Sequence, residues 1–253
     1  MIVYIIRHAQ SQNNVVATMA KDHAEFVANY VTDPSITKLG FEQADLVAEH
    51  LKSETDIDRL ADTPESKLWG GYNITHLYCS PMLRTMQTAL PIGWALALQP
   101  EIWVDIHENN GLYRYNSADP EDISSYSGLT RSQMIERFPG YKLVDQITEE
   151  GWWFGGREEF SLCMGRALRV SDTLRKWAAK QHQEGRAETI ALVSHGTFID
   201  CLLKALTYRL PDTSVHYHNY NTAINRVDFH EDGKVTLRYI NRTQHLPPGT
   251  ISQ

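Results

Sequence analysis

Side chains that can bind and transfer an anionic group stand at separated points of this 253-residue sequence, and five of them are central: Arg7, His8, Arg84, Glu108 and His195. Arginine offers two parallel N–H donors to the oxygens of a phosphate. Histidine titrates near neutrality, so much of it is neutral and able to act as a nucleophile. A carboxyl group can give or take a proton. These residue types predict a site for phosphoryl transfer.

Two apolar segments place the first and last of these residues. Residues 1–6 form a nearly continuous apolar run, typical of a buried parallel strand, and the first arginine and histidine follow at its carboxyl end. Thr189–Ser194 is a second such run, and it leads through a histidine into a helix predicted over Thr197–Leu206. Ligands of open α/β sheets bind at the carboxyl ends of the strands. The N–H groups at the start of that helix would add to an anion site there.

The other two residues follow similar elements. A strand predicted over Ile74–Ser80 leads, through a proline suited to a first helical turn, into a helix predicted over Met82–Leu98. Arg84 therefore lies near a helix start. Glu108 follows a third strand, predicted over Ile102–Ile106. We therefore expect all five side chains to share one crevice.

Strands and helices alternate along the rest of the chain. The remaining elements are predicted as a helix over Val15–Tyr30, a helix from the cap Thr37 to Leu51, a helix over Glu158–Gln183, and a closing strand pair over Asn221–Phe229 and Lys234–Ile240. This alternation predicts an α/β fold, a three-layer sandwich with a mostly parallel central sheet flanked by helices. The length and an apolar fraction of 42% suit a single domain over 1–253.

Two segments interrupt the alternation. Residues 53–71 are polar, contain proline and glycine, and are expected to form a surface connection. From about 112 to 160 the sequence is irregular, aromatic and acidic, which predicts a cap-like insertion. Trp152, Trp153 and Phe154 either line a substrate site in this insertion or pack it onto the body.

Composition excludes several classes of partner. The formal charge of −7, with basic residues scattered along the chain, argues against nucleic-acid binding. No stretch approaches the roughly 20 apolar residues of a membrane span, and the first residues enter a strand instead of a signal peptide. Cys79, Cys163 and Cys201 are widely separated, as is typical of reduced thiols. A cytoplasmic location is therefore expected.

One histidine pair raises the question of a metal site. His216 and His218 alternate along the chain, so on a strand they would share a face. No carboxylate or cysteine stands at a spacing that would complete a ligand set with them. We therefore expect no metal and no other cofactor.

Five short motifs are spread in order over nearly the whole chain. They are Arg7-His8-Ala9-Gln10-Ser11-x-x-Asn14, Thr37-x-x-Gly40-x-x-Gln43-Ala44, Ser80-Pro81-x-x-Arg84-x-x-x-Thr88-Ala89, Glu108-x-x-Gly111 and Val193-Ser194-His195-Gly196. In this order they resemble the motifs of the histidine phosphatase (phosphoglycerate mutase-like) superfamily. Each motif alone is weak, whereas five in sequence are specific. The resemblance implies a phosphoglycerate mutase-like fold.

The resemblance also implies a role for each matched residue. His8 would be the nucleophile that takes the phosphoryl group. Glu108 would protonate the leaving oxygen and then activate the water that hydrolyses the phosphohistidine. The phosphate pocket would be formed by the remaining matched residues: Arg7, Asn14, Arg84, His195 and Gly196. The substrate would be a small phosphorylated molecule, and no metal would be needed.

The chain departs from the usual pattern of the family at Ala9, where the family typically has glycine. Alanine adopts the same backbone conformations as glycine unless φ is positive. A methyl group at this position is therefore a small steric change beside the nucleophile.

Three activities fit these motifs. A phosphatase needs only the residues above, whereas a phosphoglycerate mutase must also hold a doubly phosphorylated intermediate with further cations. The predicted insertion carries nine acidic residues against five basic ones, so it is poorly suited to clamp a second phosphate. A phosphate-binding module without turnover would lack His8 or Glu108, and both are present. We therefore favour a metal-independent phosphomonoesterase.

Overall fold

The computed structural model describes residues 1–53, 72–116, 122–209 and 212–253. Of the surface connection predicted over 53–71, residue 53 belongs to α3 and the other residues lie outside the described ranges. The described strands are β1 (Ile2–Arg7), β2 (His76–Cys79), β3 (Glu101–Ile102), β4 (Tyr113–Tyr115), β5 (Ile123–Ser125), β6 (Thr189–Ser194), β7 (Ile224–Phe229) and β8 (Val235–Arg242). The described helices are α1 (Gln12–Met19), α2 (His23–Asn29), α3 (Lys38–Ser53), α4 (Leu83–Leu96), α5 (Arg131–Arg137), α6 (Phe160–Gln183) and α7 (Gly196–Leu206).

The central sheet has six strands in the order β3-β2-β6-β1-β7-β8. β1 and β2 both pair in parallel with β6, and β2 also pairs in parallel with β3. β7 is antiparallel to both of its neighbours, so it alone among these six strands runs the opposite way. The predicted mostly parallel sheet is confirmed.

Helices cover both faces of this sheet. Along β1, Tyr4 and Ile6 are buried with residues of α3 and α4, whereas Val3 and Ile5 are buried with residues of α6 and α7. Successive side chains of a strand point to opposite faces, so each of these helix pairs must cover a different face. The two apolar clusters make the central strands inaccessible from either side. The predicted three-layer α/β sandwich is therefore confirmed.

Two predicted elements were wrong in part. The helix predicted over Val15–Tyr30 is two helices, because Ala20 is extended and the Asp22 side chain accepts the N–H of Glu25 at 2.8 Å, which begins α2. The third strand, predicted over Ile102–Ile106, ends at its first residue and is followed by one turn of 3-10 helix. The carbonyl of Val104 accepts from the ring of His107 and that of Asp105 accepts from Arg166, so these carbonyl groups are not available for strand pairing.

Most other predicted elements were confirmed with small shifts of their ends. The helix expected from Thr197 begins one residue earlier, the long helix expected from Glu158 begins at Phe160, and the closing strand pair is present as β7 and β8. The strand expected over Ile74–Ser80 is shortened to β2. These shifts leave the carboxyl ends of the strands where the sequence places them.

The segment over 112–160 contains more regular structure than its sequence indicates. β4 and β5 form a two-stranded sheet, and α5 follows them. Trp152 is buried in the core on the α4 side, and Trp153 packs against that core. These two rings therefore pack the segment onto the body, whereas Phe154 is exposed. Across the described part of the chain, no helix is both long and apolar enough to cross a membrane.

Candidate active site

The carboxyl ends of β1 and β6 and the start of α7 surround a crevice with two cavities. The first cavity has a volume of about 370 Å³, and its lining includes Arg7, His8, Asn14, Arg84 and Glu108. The second cavity, of about 450 Å³, shares the first arginine, the asparagine and the glutamate and adds Gly196. The ring of His195 lies beside that of His8, with their centroids 5.2 Å apart. The structure thus brings together all seven residues singled out in the sequence.

His8 is buried, and its hydrogen bonds define its tautomer. Its Nδ1 lies 2.7 Å from the carbonyl oxygen of Ala9, which can only accept, so Nδ1 carries the proton. The lone pair is therefore on Nε2, to which Nε of Arg84 donates at 3.2 Å. Burial first, and then Arg84 and Arg7, hold the pKa of His8 well below its usual value. The ring is neutral, with its nucleophilic nitrogen facing an arginine.

The third sequence motif joins this histidine to α4. The Thr88 hydroxyl accepts the N–H of Ala9 at 3.0 Å and donates to the carbonyl of Arg84 at 2.7 Å. The threonine one turn beyond the arginine therefore ties the backbone after His8 to the helix that carries the arginine. This explains the spacing of the motif in physical terms.

His195 is completely buried, and Ser80 determines its orientation. The Ser80 hydroxyl accepts the N–H of Met82 at 3.3 Å and lies 2.8 Å from Nε2 of His195. The other ring nitrogen, Nδ1, is a buried atom with no partner among the described residues. Burial first, and then Arg84, hold the pKa of His195 well below its usual value.

Arg7 reaches across the start of α7. One of its terminal nitrogens donates to the carbonyl of Asn219 at 2.5 Å, while its Nε is buried and has no partner among the described residues. A Cβ atom at Gly196 would lie 3.4 Å from that Nε, at ordinary van der Waals distance, so the guanidinium passes close to the first residue of the helix. Burial lowers the pKa of Arg7 to about 10 against the effect of Glu108, and the group is still charged at neutral pH.

Glu108 sits at the N-terminus of α7. Its Oε1 accepts the N–H groups of Asn109 at 2.8 Å and Phe198 at 2.9 Å, and its Oε2 accepts that of Thr197 at 3.3 Å. N–H groups in a first helical turn have no partner within the helix, so a carboxyl group fits there. The three donors fix the direction of the carboxyl group and leave Oε2 as its less engaged oxygen.

Asn14 is held by residues from both ends of the chain. Its Oδ1 accepts the N–H and hydroxyl of Ser11 at 2.9 and 3.0 Å and the amide of Asn221 at 3.3 Å. Any contact of Asn14 with a phosphate must therefore come from its NH₂ group. Asn221 also donates to the carbonyl of His8 at 3.0 Å. This buried asparagine is a site residue that no sequence pattern indicated.

The second motif holds the loop after the histidine. The Gln10 N–H donates to Oε1 of Gln43 at 2.8 Å, and the Thr37 hydroxyl accepts the N–H of Gly40 at 3.0 Å as the predicted cap. A Cβ atom at Gly40 would lie 2.2 Å from the Gln10 carbonyl oxygen, so only glycine permits this approach. Ala9 does not have a positive φ, and alanine therefore fits its backbone without strain.

Arg166 on α6 is a second residue that the sequence did not indicate. It is buried, and it forms a two-point ion pair with Glu158 at 3.0 and 2.6 Å. It also donates to the carbonyls of Asp105 and His107, each at 2.8 Å. These are the residues that lead into Glu108. The ion pair therefore fixes the backbone that carries the candidate acid.

Replacing Arg166 with methionine is expected to lower the free energy of unfolding by about 3–5 kcal/mol, because it leaves a buried carboxylate without its partner. Urea unfolding of the variant measures this loss. Arg169→Met, on the exposed side of the same helix, is the matched control. The double variant Arg166→Met/Glu158→Leu should recover part of the loss. A loss of under about 1 kcal/mol in the single variant would contradict the role given to the ion pair.

Asp33 contacts the first residue of α4, and its titration should make the stability of the protein depend on pH. Its carboxyl group accepts the N–H of Leu83 at 3.1 Å, and burial raises its pKa from 3.8 to about 6 against the effect of Arg84. The folded protein therefore binds a proton that the unfolded chain releases between about pH 4 and 6. Its free energy of unfolding should fall as the pH rises through this window.

Asp33→Asn keeps an acceptor for the helix and removes the titration. Between pH 4 and 7 we expect the free energy of unfolding of this variant to rise, relative to that of the wild type, by up to about 3 kcal/mol. Urea unfolding at several pH values measures the difference, with the exposed Asp45→Asn as control. A difference between wild type and Asp33→Asn that does not change with pH would disprove this assignment.

The histidine pair noted in the sequence lies at the second cavity. His216 and His218 both line it, and Nδ1 of His216 lies 3.4 Å from the Asp200 carboxylate. Within the ranges that the structure describes, no group of three or more histidine, cysteine, aspartate or glutamate residues is placed to hold a metal ion.

The fold and the crevice define an α/β protein of the phosphoglycerate mutase-like class. The family model of the histidine phosphatase superfamily, branch 1, matches residues 3–242. The chain therefore belongs to the histidine phosphatase superfamily, and the resemblance seen in its five motifs is confirmed.

Solved structures of similar fold include three phosphatases. A mutant phosphoserine phosphatase from Entamoeba histolytica in complex with phosphoserine is 19% identical, with a TM-score of 0.57 and coverage of 97% of this chain and 99% of that one. A mycobacterial glucosyl-3-phosphoglycerate phosphatase is 18% identical, with a TM-score of 0.54 and coverage of 96% and 99%. The ecdysone phosphate phosphatase of Bombix mori is 17% identical, with a TM-score of 0.55 and coverage of 98% and 94%. At these identities the likeness shows the fold.

One curated relative is a phosphoglycerate mutase-like protein from Arabidopsis thaliana, 28% identical over 88 residues. The match covers 35% of this chain and 27% of the length of that protein.

Proposed function

We propose that this protein is a phosphomonoesterase that hydrolyses a small phosphate ester through a phosphohistidine on Nε2 of His8, without a metal ion. The observation that carries the proposal is the state of that histidine. Its Nδ1 proton is donated to the Ala9 carbonyl, its ring is neutral, and its Nε2 lone pair faces Arg84. This is the form of histidine that can attack phosphorus.

Buried nitrogens without partners around His8 support binding of a phosphate there. Nε of Arg7 is a buried N–H group without a partner among the described residues, which is costly, and Nδ1 of His195 is buried and without a partner as well. Phosphate oxygens would accept from Arg7, and from His195 in the tautomer that carries its proton on Nδ1. Arg84 would turn from His8 to a third oxygen, which frees the Nε2 lone pair. The NH₂ group of Asn14 would reach the rim of the same pocket.

In the first half-reaction, Nε2 of His8 forms a bond to phosphorus while the bond from phosphorus to the ester oxygen breaks. The leaving oxygen takes the proton from Oε2 of Glu108, so an alcohol departs. Charge spreads over the three equatorial oxygens during this transfer, and the two arginines and His195 stabilise it.

In the second half-reaction, the Glu108 carboxylate takes a proton from water as that water's oxygen attacks phosphorus. The bond between phosphorus and Nε2 breaks, and inorganic phosphate leaves. His8 is again neutral and Glu108 is again protonated, so the cycle closes. Arg7 and Arg84 supply the positive charge, and the proposed cycle includes no metal or other cofactor.

The mutase alternative needs further cations for a second phosphate. Among the described residues that line the two cavities, the lysines and arginines are Arg7 and Arg84. The lining of the two cavities therefore supports a phosphatase over a mutase. We also propose a single domain over 1–253 with its cap-like insertion, and a cytoplasmic location, which the three free thiols support.

The test is release of inorganic phosphate from a panel of monoesters with EDTA present, followed by denaturing quench of the enzyme during turnover. Phosphohistidine is stable in alkali and lost in acid, so protein-bound phosphate with that stability is the expected result. A requirement for added metal, or no bound phosphate under any quench, would contradict the proposal. Conversion of 3-phosphoglycerate to 2-phosphoglycerate, stimulated by bisphosphoglycerate, would favour the mutase.

A further inference from the structure

Aromatic rings form one wall of the first cavity. Phe26 on α2 and Tyr30 just after it line this cavity together with Tyr113 on β4. The rings of Tyr30 and Tyr113 are stacked, with centroids 5.4 Å apart and an angle of 18° between their planes. Phe26 lies 5.7 Å from Tyr30 at a tilt of 53°. We call these three residues the aromatic wall.

A further ring, that of Tyr115, packs against the wall without lining the cavity. Tyr115 packs edge-on against Tyr30 with centroids 5.0 Å apart and edge-on against Tyr113 at 5.4 Å. Tyr113 is buried, whereas Phe26 and Tyr30 are half-buried. The wall is therefore held in place by ring contacts on one side while two of its rings keep accessible surface.

The wall and the reaction centre belong to the same cavity. His8, Arg84 and Glu108 line the first cavity together with these rings. Burial raises the pKa of the Tyr30 hydroxyl while Arg84 acts against that rise, so the phenol lies within electrostatic reach of the arginine. A group attached to a phosphate held by that arginine would extend toward the wall.

The charges of the residues that line the first cavity restrict which leaving group can bind there. Beyond Arg7 and Arg84, which face the phosphate, the other described residues of the first cavity are neutral except Glu108. A carboxylate or second phosphate on the leaving group would therefore find no further lysine or arginine among these lining residues. Arg157 lies over the Tyr113 ring, 5.8 Å from its centroid, but does not line the cavity. A neutral, planar ring would instead bury apolar surface and stack on tyrosine and phenylalanine.

We propose that the aromatic wall is the leaving-group subsite, and that the substrates are phosphate monoesters whose leaving group carries a neutral aromatic ring. This inference rests on the proposed hydrolysis for the identity of the substrates. Binding of an aromatic ring at the subsite can be tested without any turnover. Stacking and burial of one ring are expected to raise kcat/KM on the order of tenfold.

The test uses three esters with the same type of leaving oxygen: 2-phenylethyl phosphate, 2-cyclohexylethyl phosphate and ethyl phosphate. Because each leaves as a primary alcohol, differences in kcat/KM report the group beyond the oxygen. We expect the phenyl ester to be best by about tenfold over the ethyl ester and severalfold over the cyclohexyl ester. Equal values for all three would overturn the proposal.

Variants of the aromatic wall test whether its rings cause the preference for the phenyl ester. Tyr30→Ala and Phe26→Ala should each reduce the ratio of kcat/KM between the phenyl and ethyl esters, whereas Tyr30→Phe, which keeps the ring, should retain it. Trp94→Ala removes an exposed ring of α4 and is the matched control. A ratio that is unchanged in both alanine variants would overturn the assignment of the wall.

Calorimetry with phosphonates separates this inference from the proposed function. If 3-phenylpropylphosphonate binds more tightly than propylphosphonate, and Tyr30→Ala removes the difference, the subsite holds even where no ester is hydrolysed. In that case the proposed phosphatase alone fails. Equal dissociation constants for the two phosphonates in the wild type would overturn the subsite, whatever the enzyme hydrolyses.

Discussion

Replacing His8 with alanine is expected to lower kcat for ester hydrolysis by at least about four orders of magnitude and to abolish protein-bound phosphate. The variant loses the nucleophilic nitrogen, whereas Arg7, Arg84 and His195 still offer donors to phosphate oxygens. Inorganic phosphate should therefore still bind. Phosphate release, alkali-stable labelling and calorimetry measure the three quantities.

The matched control is His230→Ala, which removes an exposed histidine of the turn between β7 and β8. It should keep full activity. His8→Gln provides a second variant that fills more of the buried space than alanine does. Hydrolysis that persists at more than a hundredth of the wild-type rate in both His8 variants would disprove attack by this nitrogen.

Glu108→Gln is expected to affect alkyl and aryl esters differently. With ethyl phosphate, kcat should fall by about 10²–10⁴-fold, because an alkoxide needs a proton to leave. With p-nitrophenyl phosphate, the first transfer should be nearly normal, since nitrophenolate leaves without a proton. Hydrolysis of the phosphoenzyme should still be slow because water is no longer activated.

The aryl ester should therefore give a rapid burst of nitrophenolate followed by a slow steady rate. Stopped-flow absorbance measures both phases. Glu159→Gln, an exposed carboxyl group at the start of α6, is the control and should behave like the wild type. An equal loss on both esters with no burst would show that Glu108 does not act as the proton donor.

The parts of the fold that depend on local apolar patterns were predictable. β1 and β6 are short apolar runs, and burial on both faces requires that composition, so the sequence placed their carboxyl ends and the residues after them. Prediction of the third strand failed because its carbonyl groups are taken by Arg166 and His107. A contact between side chain and backbone across some 60 residues has no periodic signal in the sequence.

The candidate site was predictable to the same extent. Motif spacing named the residues that surround the crevice, but it did not indicate Asn221, which holds the His8 carbonyl, or the Tyr30 ring. Each of these two residues contributes through the position of its own side chain in the folded structure, which leaves no pattern in the sequence. Of the two roles that the sequence left open for Trp152 and Trp153, lining a substrate site or packing the insertion onto the body, the structure shows the packing.

Ala9 occupies a small buried cluster with Ile36 and Ala44. Its methyl group is accommodated because the facing residue of α3 is itself only an alanine. Where alanine follows the histidine, the facing position of α3 should therefore stay as small as alanine. An alignment of such chains would record this as a restriction on residue 44 that chains with glycine at residue 9 do not share.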